Sequence, residues 1–320
     1  MNKIAVIGAG AWGTALAVQA ARAGCEVTLW ARDAANAMAI EQTRVNARLP
    51  NVRLSGAIRV TAHLPARADA MLLAVPMQHL RAIVTRLPRS DAPLIVCAKG
   101  VEAGTLRLPL EVLAEVHPNN PIAVLTGPNF ALEVAEGMPA AAVIAGTDQS
   151  RRDHIIAMLA SASFRLYGND DPIGAQIGGA AKNVIAIAAG AVIGAGLGEN
   201  ARAALITRSL AELSRLTVAL GGRPETVMGL SGLGDLLLTC TGPSSRNFSL
   251  GLALGRGERL ADILAARSTA TEGVATAPAL IARAAGLDMP ICSAVAAFLA
   301  GRTTLAQAMA DLLARPRRDE

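Results

Sequence analysis

Gly8, Gly10 and Gly13 stand at the spacing G-x-G-x-x-G, directly after the apolar run 4–7 and directly before a helical stretch at 14–23. No other feature restricts the fold as tightly. The first glycine permits a tight turn, the second lets the backbone approach a pyrophosphate, and the third lets helix and strand pack closely. The N–H groups and dipole at the helix start then favour an anion. A ligand-free glycine turn would need only the glycines. Strand, fingerprint and helix in this order predict a Rossmann unit over residues 3–32 that holds a nicotinamide dinucleotide.

The rest of the first half fits that start. Short apolar, mostly β-branched runs at 26–30, 71–75, 94–98, 122–125, 142–145 and 164–167 alternate with helical stretches. With the run 4–7 included, Gly8, Pro76, Gly100, Gly127 and Gly146 follow most of these runs. That alternation predicts a mostly parallel sheet with helices on both faces. After Asp171-Pro172 such runs thin out, and Ala/Leu-rich helical patterns continue to Leu313. The expected class is α/β, a Rossmann-type sheet domain (1–172) followed by an all-α domain (173–314), with a frayed tail at 315–320. A chain of 320 residues suits two domains, and 52% hydrophobic against 17% charged residues excludes a disordered chain.

The net charge of +5 comes from basic residues spread along the chain without a dense run or interleaved aromatics, so no nucleic-acid partner is expected. The charge would still steer a phosphorylated substrate. Cys25, Cys97, Cys240 and Cys292 lack metal-ligand or redox-pair spacing, and His63, His79, His117 and His154 are as scattered. No metal site and a cytoplasmic location are the expectations. The uncharged stretches 4–21 and 184–197 are broken by glycines and read as buried elements, so no membrane segment is expected.

At the end of the second expected strand, where an acid would bind the ribose 2′-hydroxyl of NAD, stands Arg32, with Asp33 next to it. A guanidinium there suits the 2′-phosphate, so NADP(H) is expected to be preferred and NAD(H) accepted. Of 30 basic residues only Lys3, Lys99 and Lys182 are lysines. Lys99 follows a strand at the ligand-binding edge of an open sheet. Lys182 lies in a helical run with Gly178, Gly179 and Ala186 one turn away, which leaves room for a ligand and desolvates an amine suited to proton transfer. Asp235, after Ser231-Gly232-Leu233-Gly234, is either a helix cap or a carboxylate partner for such an amine; spacing does not decide. Ser245-Arg246-Asn247 opens another helix and offers hydroxyl, guanidinium and amide to a phosphate.

The ordered set of Gly8 to Thr14, Ala74-Val75-Pro76, Ala98-Lys99-Gly100, Gly127-Pro128 with Phe130-Ala131, Ile177 to Val184, Gly232 to Cys240, Ser245-Arg246-Asn247 and Thr271-Glu272-Gly273 resembles the bacterial NAD(P)-dependent glycerol-3-phosphate dehydrogenases. The resemblance implies reversible reduction of dihydroxyacetone phosphate to sn-glycerol 3-phosphate, supplying glycerophospholipid synthesis. It implies Lys182 and Asp235 as the catalytic pair, with Lys182 the proton donor or acceptor. Lys99, Gly127, Asn129, Lys182, Asp235, Ser245, Arg246 and Asn247 are the implied substrate residues. Gly8, Gly10, Ala11, Trp12, Gly13, Arg32, Lys99, Ala131, Arg246, Ala270 and Glu272 are those implied for the cofactor. Ala11, Asn129, Gln176, Ala181 and Pro243 depart from the family pattern. The rival readings are another two-domain dehydrogenase, of the ketopantoate reductase or 3-hydroxyisobutyrate type, and a non-catalytic dinucleotide sensor. The phosphate-type cluster at 245–247 weighs against the first, and retained Lys182 and Asp235 against the second. An apolar surface on the helical domain would suit a homodimer.

Overall fold

The computed structural model describes residues 1–267 and 271–316 and divides into two compact units. One comprises Met1–Lys99 with Arg107–Gln176, the other Gly100–Leu106 with the chain from Ile177 onward. Ala270, expected to touch the cofactor, and residues 317–320 of the expected tail lie outside the described residues. Arg315, at the start of that tail, donates to both carboxylate oxygens of Asp288 at 2.8 and 2.7 Å.

The first unit contains ten strands among the described residues: β1 (Lys3–Ile7), β2 (Glu26–Trp30), β3 (Val45–Asn46), β4 (Leu49–Arg53), β5 (Ile58–Thr61), β6 (Ala70–Leu73), β7 (Leu94–Val96), β8 (Ile122–Thr126), β9 (Ala140–Ala145) and β10 (Phe164–Asn169). Eight form one sheet in the order β10-β9-β8-β7-β6-β1-β2-β5, and β3 pairs with β4 as a small antiparallel hairpin. From β5 to β8 every pairing is parallel. With the hairpin set aside, those six strands have the order 3-2-1-4-5-6 of a doubly wound dinucleotide fold. β9 runs antiparallel to β8 and carries β10 parallel to itself. The central strands are the apolar runs of the sequence, because a parallel strand covered by helices is buried on both faces; every residue of β6 and β7 is buried.

The sheet is therefore mostly parallel, as expected, and each expected run forms a strand. Two runs are shorter than their apolar stretches: Ala74-Val75 and Cys97-Ala98 have already left the sheet. The strands that no run signalled are the hairpin and β5, a four-residue edge strand with only Ile58 and Val60 buried. The strand order reverses direction at the carboxyl ends of β1 and β6, where Gly8 and Ala74 meet.

Among the described residues every regular element of the second unit is a helix, and its segment Gly100–Leu106 is loop. The 23-residue helix Pro172–Gly194, which starts before the division between the units, is long and apolar enough to cross a membrane by length and composition, yet 83% of its most apolar window is buried in the fold. Its apolarity serves backbone contact with the helix Arg246–Gly255. Gly190 and Gly194 face the carbonyls of Phe248 and Leu252, while Gly251 and Gly255 face those of Ile187 and Ala191. A Cβ on Gly251 would stand 1.9 Å from the Ile187 oxygen, and one on Gly190 2.1 Å from the Phe248 oxygen. Two small-x-x-x-small stripes thus interlock and set the start of Arg246–Gly255 beside the middle of Pro172–Gly194. Elsewhere in the unit Glu212, 1% exposed, accepts from the N–H groups of Ile291 (2.6 Å) and Cys292 (3.2 Å) and caps the helix Pro290–Leu299. Burial pushes its carboxyl up from the usual range, and those two N–H groups oppose the shift.

Candidate active site

In the first unit Gly8 and Gly13, in the loop after β1, have the steric setting they were read for. Gly8 has φ +116°, and a Cβ there would lie 2.6 Å from the Ala74 carbonyl oxygen. A Cβ on Gly13 would lie 1.8 Å from the Gly8 oxygen, so only glycine lets the helix Ala11–Arg22 approach the strand end this closely. Gly10 differs: it is exposed, with nothing within 4 Å of its Cβ position. It is the N-cap of Ala11–Arg22, makes no side-chain cap hydrogen bond, and no acid occupies the first turn. An uncapped helix start beside open space suits the pyrophosphate of a dinucleotide. Ala11 and Trp12 are the first two residues of that helix, half-buried and packed on the core.

Arg32 is exposed just beyond β2. Asp33, which could have favoured a ribose hydroxyl, is instead the N-cap of the helix Ala34–Thr43 and accepts from the Asn36 N–H at 2.7 Å. Lys99 stands past the end of β7, and its Nζ donates to the Gly127 carbonyl at 3.1 Å. Gly127 has φ +138°, and a Cβ there would meet Ala142 Cα at 3.0 Å. Asn129 donates through Nδ2 to the Ala141 carbonyl at 3.1 Å, while its Oδ1 and the Thr126 Oγ1 are buried without a protein partner. Ala131 begins the helix Ala131–Glu136. Lys99, Gly127 and Asn129 are thus gathered at the ends of β7 and β8, together with two polar atoms whose bonding capacity is unused, as at a ligand position.

In the second unit Lys182 and Asp235 meet: Lys182 Nζ donates to Asp235 Oδ1 in a short, buried ion pair between residues 53 apart in sequence. Asp235 is fully buried and lies within the helix Asp235–Cys240, whose N-cap is Gly234, so the cap alternative is not what the structure shows. A π-helical turn, Leu230–Gly234, leads into that helix. A Cβ on Gly178 would stand 2.4 Å from the Ser231 oxygen and one on Gly232 2.0 Å from the Val227 oxygen. The small residue at 178 was expected to leave room for a ligand. Its space is filled by the backbone of this turn, and that close approach brings lysine and aspartate together.

The helix Arg246–Gly255 starts with Ser245, buried, as N-cap, accepting from the Phe248 N–H at 3.2 Å. Arg246 is exposed, and its backbone oxygen accepts from Arg267 at 2.8 Å. Asn247 is engaged at both ends of its amide: Nδ2 donates to Asn183 Oδ1 at 2.9 Å, and Oδ1 accepts from the Gly273 N–H at 3.1 Å. Glu272 is the first residue of the helix Glu272–Arg283.

Three residues escaped the sequence reading. Thr239 donates to the Asp235 backbone oxygen at 2.6 Å, with its Oγ1 3.4 Å from Oδ1. Asp235 and Thr239 are four apart on one helix, a spacing that could have signalled the pair. Asn183 sits beside Lys182, but its partner Asn247 lies on another helix 64 residues on, so no local signal marked it. Asn46, in the hairpin, carried no signal. Gln176, one of the departures, accepts from the Leu110 N–H at 2.8 Å and donates to the Pro172 carbonyl, which is structural work. All four cysteines are free and buried. Burial pushes the Cys97 and Cys240 thiols up to about 12 although Lys99 and Lys182 oppose it, so both stay protonated and do not compete with Lys182 as proton-transfer groups.

Comparison with known proteins gives a consistent result. The family model of the NAD-dependent glycerol-3-phosphate dehydrogenase N-terminus matches residues 3–152, and that of the C-terminus matches residues 171–310. A glycerol-3-phosphate dehydrogenase [NAD(P)+] of Acidiphilium cryptum is 58% identical over 99% of this chain and 98% of its own length. The crystal structure of a glycerol-3-phosphate dehydrogenase from Coxiella burnetii superposes with TM-score 0.93 at 38% identity, over 98% of this chain and 99% of that one. A ketopantoate reductase from Ralstonia eutropha, representing the rival dehydrogenase reading, reaches TM-score 0.61 at 21% identity over 93% of this chain and 97% of its own, a likeness of fold alone.

Proposed function

Because the chain belongs to the NAD-dependent glycerol-3-phosphate dehydrogenase family, we propose that its residues divide the reduction of dihydroxyacetone phosphate into binding of the dinucleotide's pyrophosphate by the first unit and proton transfer by the second. The chain is an NAD(P)-dependent oxidoreductase that forms sn-glycerol 3-phosphate reversibly. The buried Lys182–Asp235 pair is the observation that carries the division of labour.

Gly8, Gly10, Ala11, Trp12 and Gly13 hold the pyrophosphate side of the dinucleotide, with Arg32, Lys99, Ala131, Arg246, Ala270 and Glu272 as its further contacts. Bound there, the nicotinamide supplies the hydride that adds to the ketone carbon. The ketone oxygen gains negative charge as that carbon is attacked, and Lys182 Nζ stabilises it and gives up a proton, leaving a neutral amine that solvent reprotonates. In oxidation the neutral amine accepts the hydroxyl proton. Asp235 Oδ1 orients the ammonium and balances its charge, so the pair is neutral before the substrate arrives. Lys99, Gly127, Asn129, Ser245, Arg246 and Asn247 orient the substrate, and the phosphate, remote from the reacting carbon, supplies binding energy for that orientation.

Two variants test the binding roles. Arg246→Ala is expected to raise KM for dihydroxyacetone phosphate at least tenfold, since a guanidinium–phosphate contact is charge-assisted; steady-state kinetics with an unchanged KM would remove Arg246 from the phosphate site. Arg32→Ala is expected to lower the NADPH-to-NADH ratio of kcat/KM about tenfold or more, because only NADPH has a 2′-phosphate to lose. An unchanged ratio would contradict the preference for NADP(H) over NAD(H), a preference that the capping role of Asp33 supports.

The protein works in the cytoplasm and feeds glycerophospholipid synthesis, a location in keeping with four cysteines that are buried and lack redox-pair spacing. It binds no nucleic acid and forms a homodimer through the helical unit, where Val218, Met228 and Leu237 are exposed. Light scattering at micromolar concentration reads the mass of one chain or two.

A further inference from the structure

Asn46 is 1% exposed although it belongs to a two-residue strand in a hairpin inserted before β5. Its Nδ2 donates to the Ala9 carbonyl at 3.0 Å and to Thr14 Oγ1 at 2.7 Å, and its Oδ1 accepts from the Arg48 N–H at 3.0 Å. Two N–H groups and one carbonyl are what a primary amide offers, and all are used. Leu49, Val52 and Leu54, which follow it, are buried in the core of the sheet unit, so the hairpin is anchored.

The bond between Ala9 and Gly10 is a planar trans peptide, so the Gly10 N–H points opposite to the Ala9 oxygen. With that oxygen turned to Asn46, the Gly10 N–H faces away from the hairpin. Gly10 has conformational freedom and nothing near its Cβ position, so the loop itself does little to stop this peptide from turning over.

We propose that Asn46 is a positioning residue for the dinucleotide, acting through the Ala9 carbonyl to aim the Gly10 N–H at the pyrophosphate. The inference rests on the reading of the glycine loop as the dinucleotide site. Asn46→Ala removes the clamp. Asn46→Asp keeps the shape and the acceptor for Arg48 N–H but sets a carboxylate against the Ala9 oxygen. Thr14→Val removes only the other partner of the amide.

The experiment titrates the full-length protein with NADPH by fluorescence and measures kinetics for both substrates, with thermal unfolding of each variant without ligand. Asn46→Ala and Asn46→Asp are expected to raise Kd for NADPH about tenfold or more, equivalent to about 1.4 kcal/mol. KM for dihydroxyacetone phosphate at saturating NADPH is expected to stay within twofold, and Thr14→Val to weaken NADPH less than threefold. Wild-type affinity in both Asn46 variants would overturn the inference. So would equal weakening by Thr14→Val, or a loss of affinity that tracks the fall in unfolding temperature, since either outcome describes packing alone. If the wild-type protein itself bound no NADPH, the dinucleotide reading would fall, a result distinct from the others.

Discussion

Replacement of Lys182 by methionine is expected to lower kcat for dihydroxyacetone phosphate reduction by about three orders of magnitude, within the range by which a positioned acid or base accelerates proton transfer. NADPH affinity is expected to change less than threefold, because the residues assigned to the pyrophosphate lie in the other unit. The substitution has a second consequence. Asp235 is fully buried and its carboxylate would lose its ion-pair partner. Breaking one side of a buried pair costs about 3–5 kcal/mol. The double variant Lys182→Met, Asp235→Asn removes that stranded charge and is expected to regain most of the stability and none of the turnover. Thermal unfolding and steady-state kinetics on both variants check this. Turnover that returned together with stability would make the lysine structural.

The second large effect falls on folding. Gly251→Ala sets a methyl group 1.9 Å from the Ile187 oxygen, 2.8 Å from its carbon and 2.9 Å from the Ala191 nitrogen. All three are backbone atoms of a helix and cannot rotate away, so Pro172–Gly194 and Arg246–Gly255 must separate. Overpacking costs about 1–3 kcal/mol and sometimes more, and a rigid backbone obstacle belongs at the upper end. The expected fall in Tm is roughly 5–10 °C at about 2–4 °C per kcal/mol. Separation also parts Asn247 from Asn183, so activity is expected to fall further than stability alone predicts. Gly56→Ala, where nothing lies within 4 Å, is the matched control with no expected effect. Equal melting of the two variants would mean that the helices tolerate a wider spacing.

How far the sequence speaks depends on whether a feature is local. The glycine loop was legible because strand, turn and helix are contiguous and Gly8 and Gly13 each answer a separate steric demand. The parallel strands were legible because burial on both faces writes a continuous apolar run. β5 and the hairpin were not, being short and half-exposed, and nothing in the runs 122–125 and 142–145 tells that β8 and β9 oppose each other. In the second unit the residue types were readable and their partners were not. Lysine and aspartate declared their chemistry, but they meet only because Gly178 lets a helix touch the turn at Ser231. Gly178, one turn from Lys182, was a real signal of close approach, and the approaching group is backbone. Asp33 shows the converse: its helix cap is a local bond, and it turns an ambiguous acid beside Arg32 into a structural one.

The most direct test of the account is the oxidation of NADPH by the purified protein with dihydroxyacetone phosphate, run beside unphosphorylated dihydroxyacetone and ketopantoate. Rapid turnover with the phosphate ester to sn-glycerol 3-phosphate, and turnover lower by orders of magnitude with the other two, is the predicted result. No turnover with the phosphate ester, or faster turnover with ketopantoate, would contradict it.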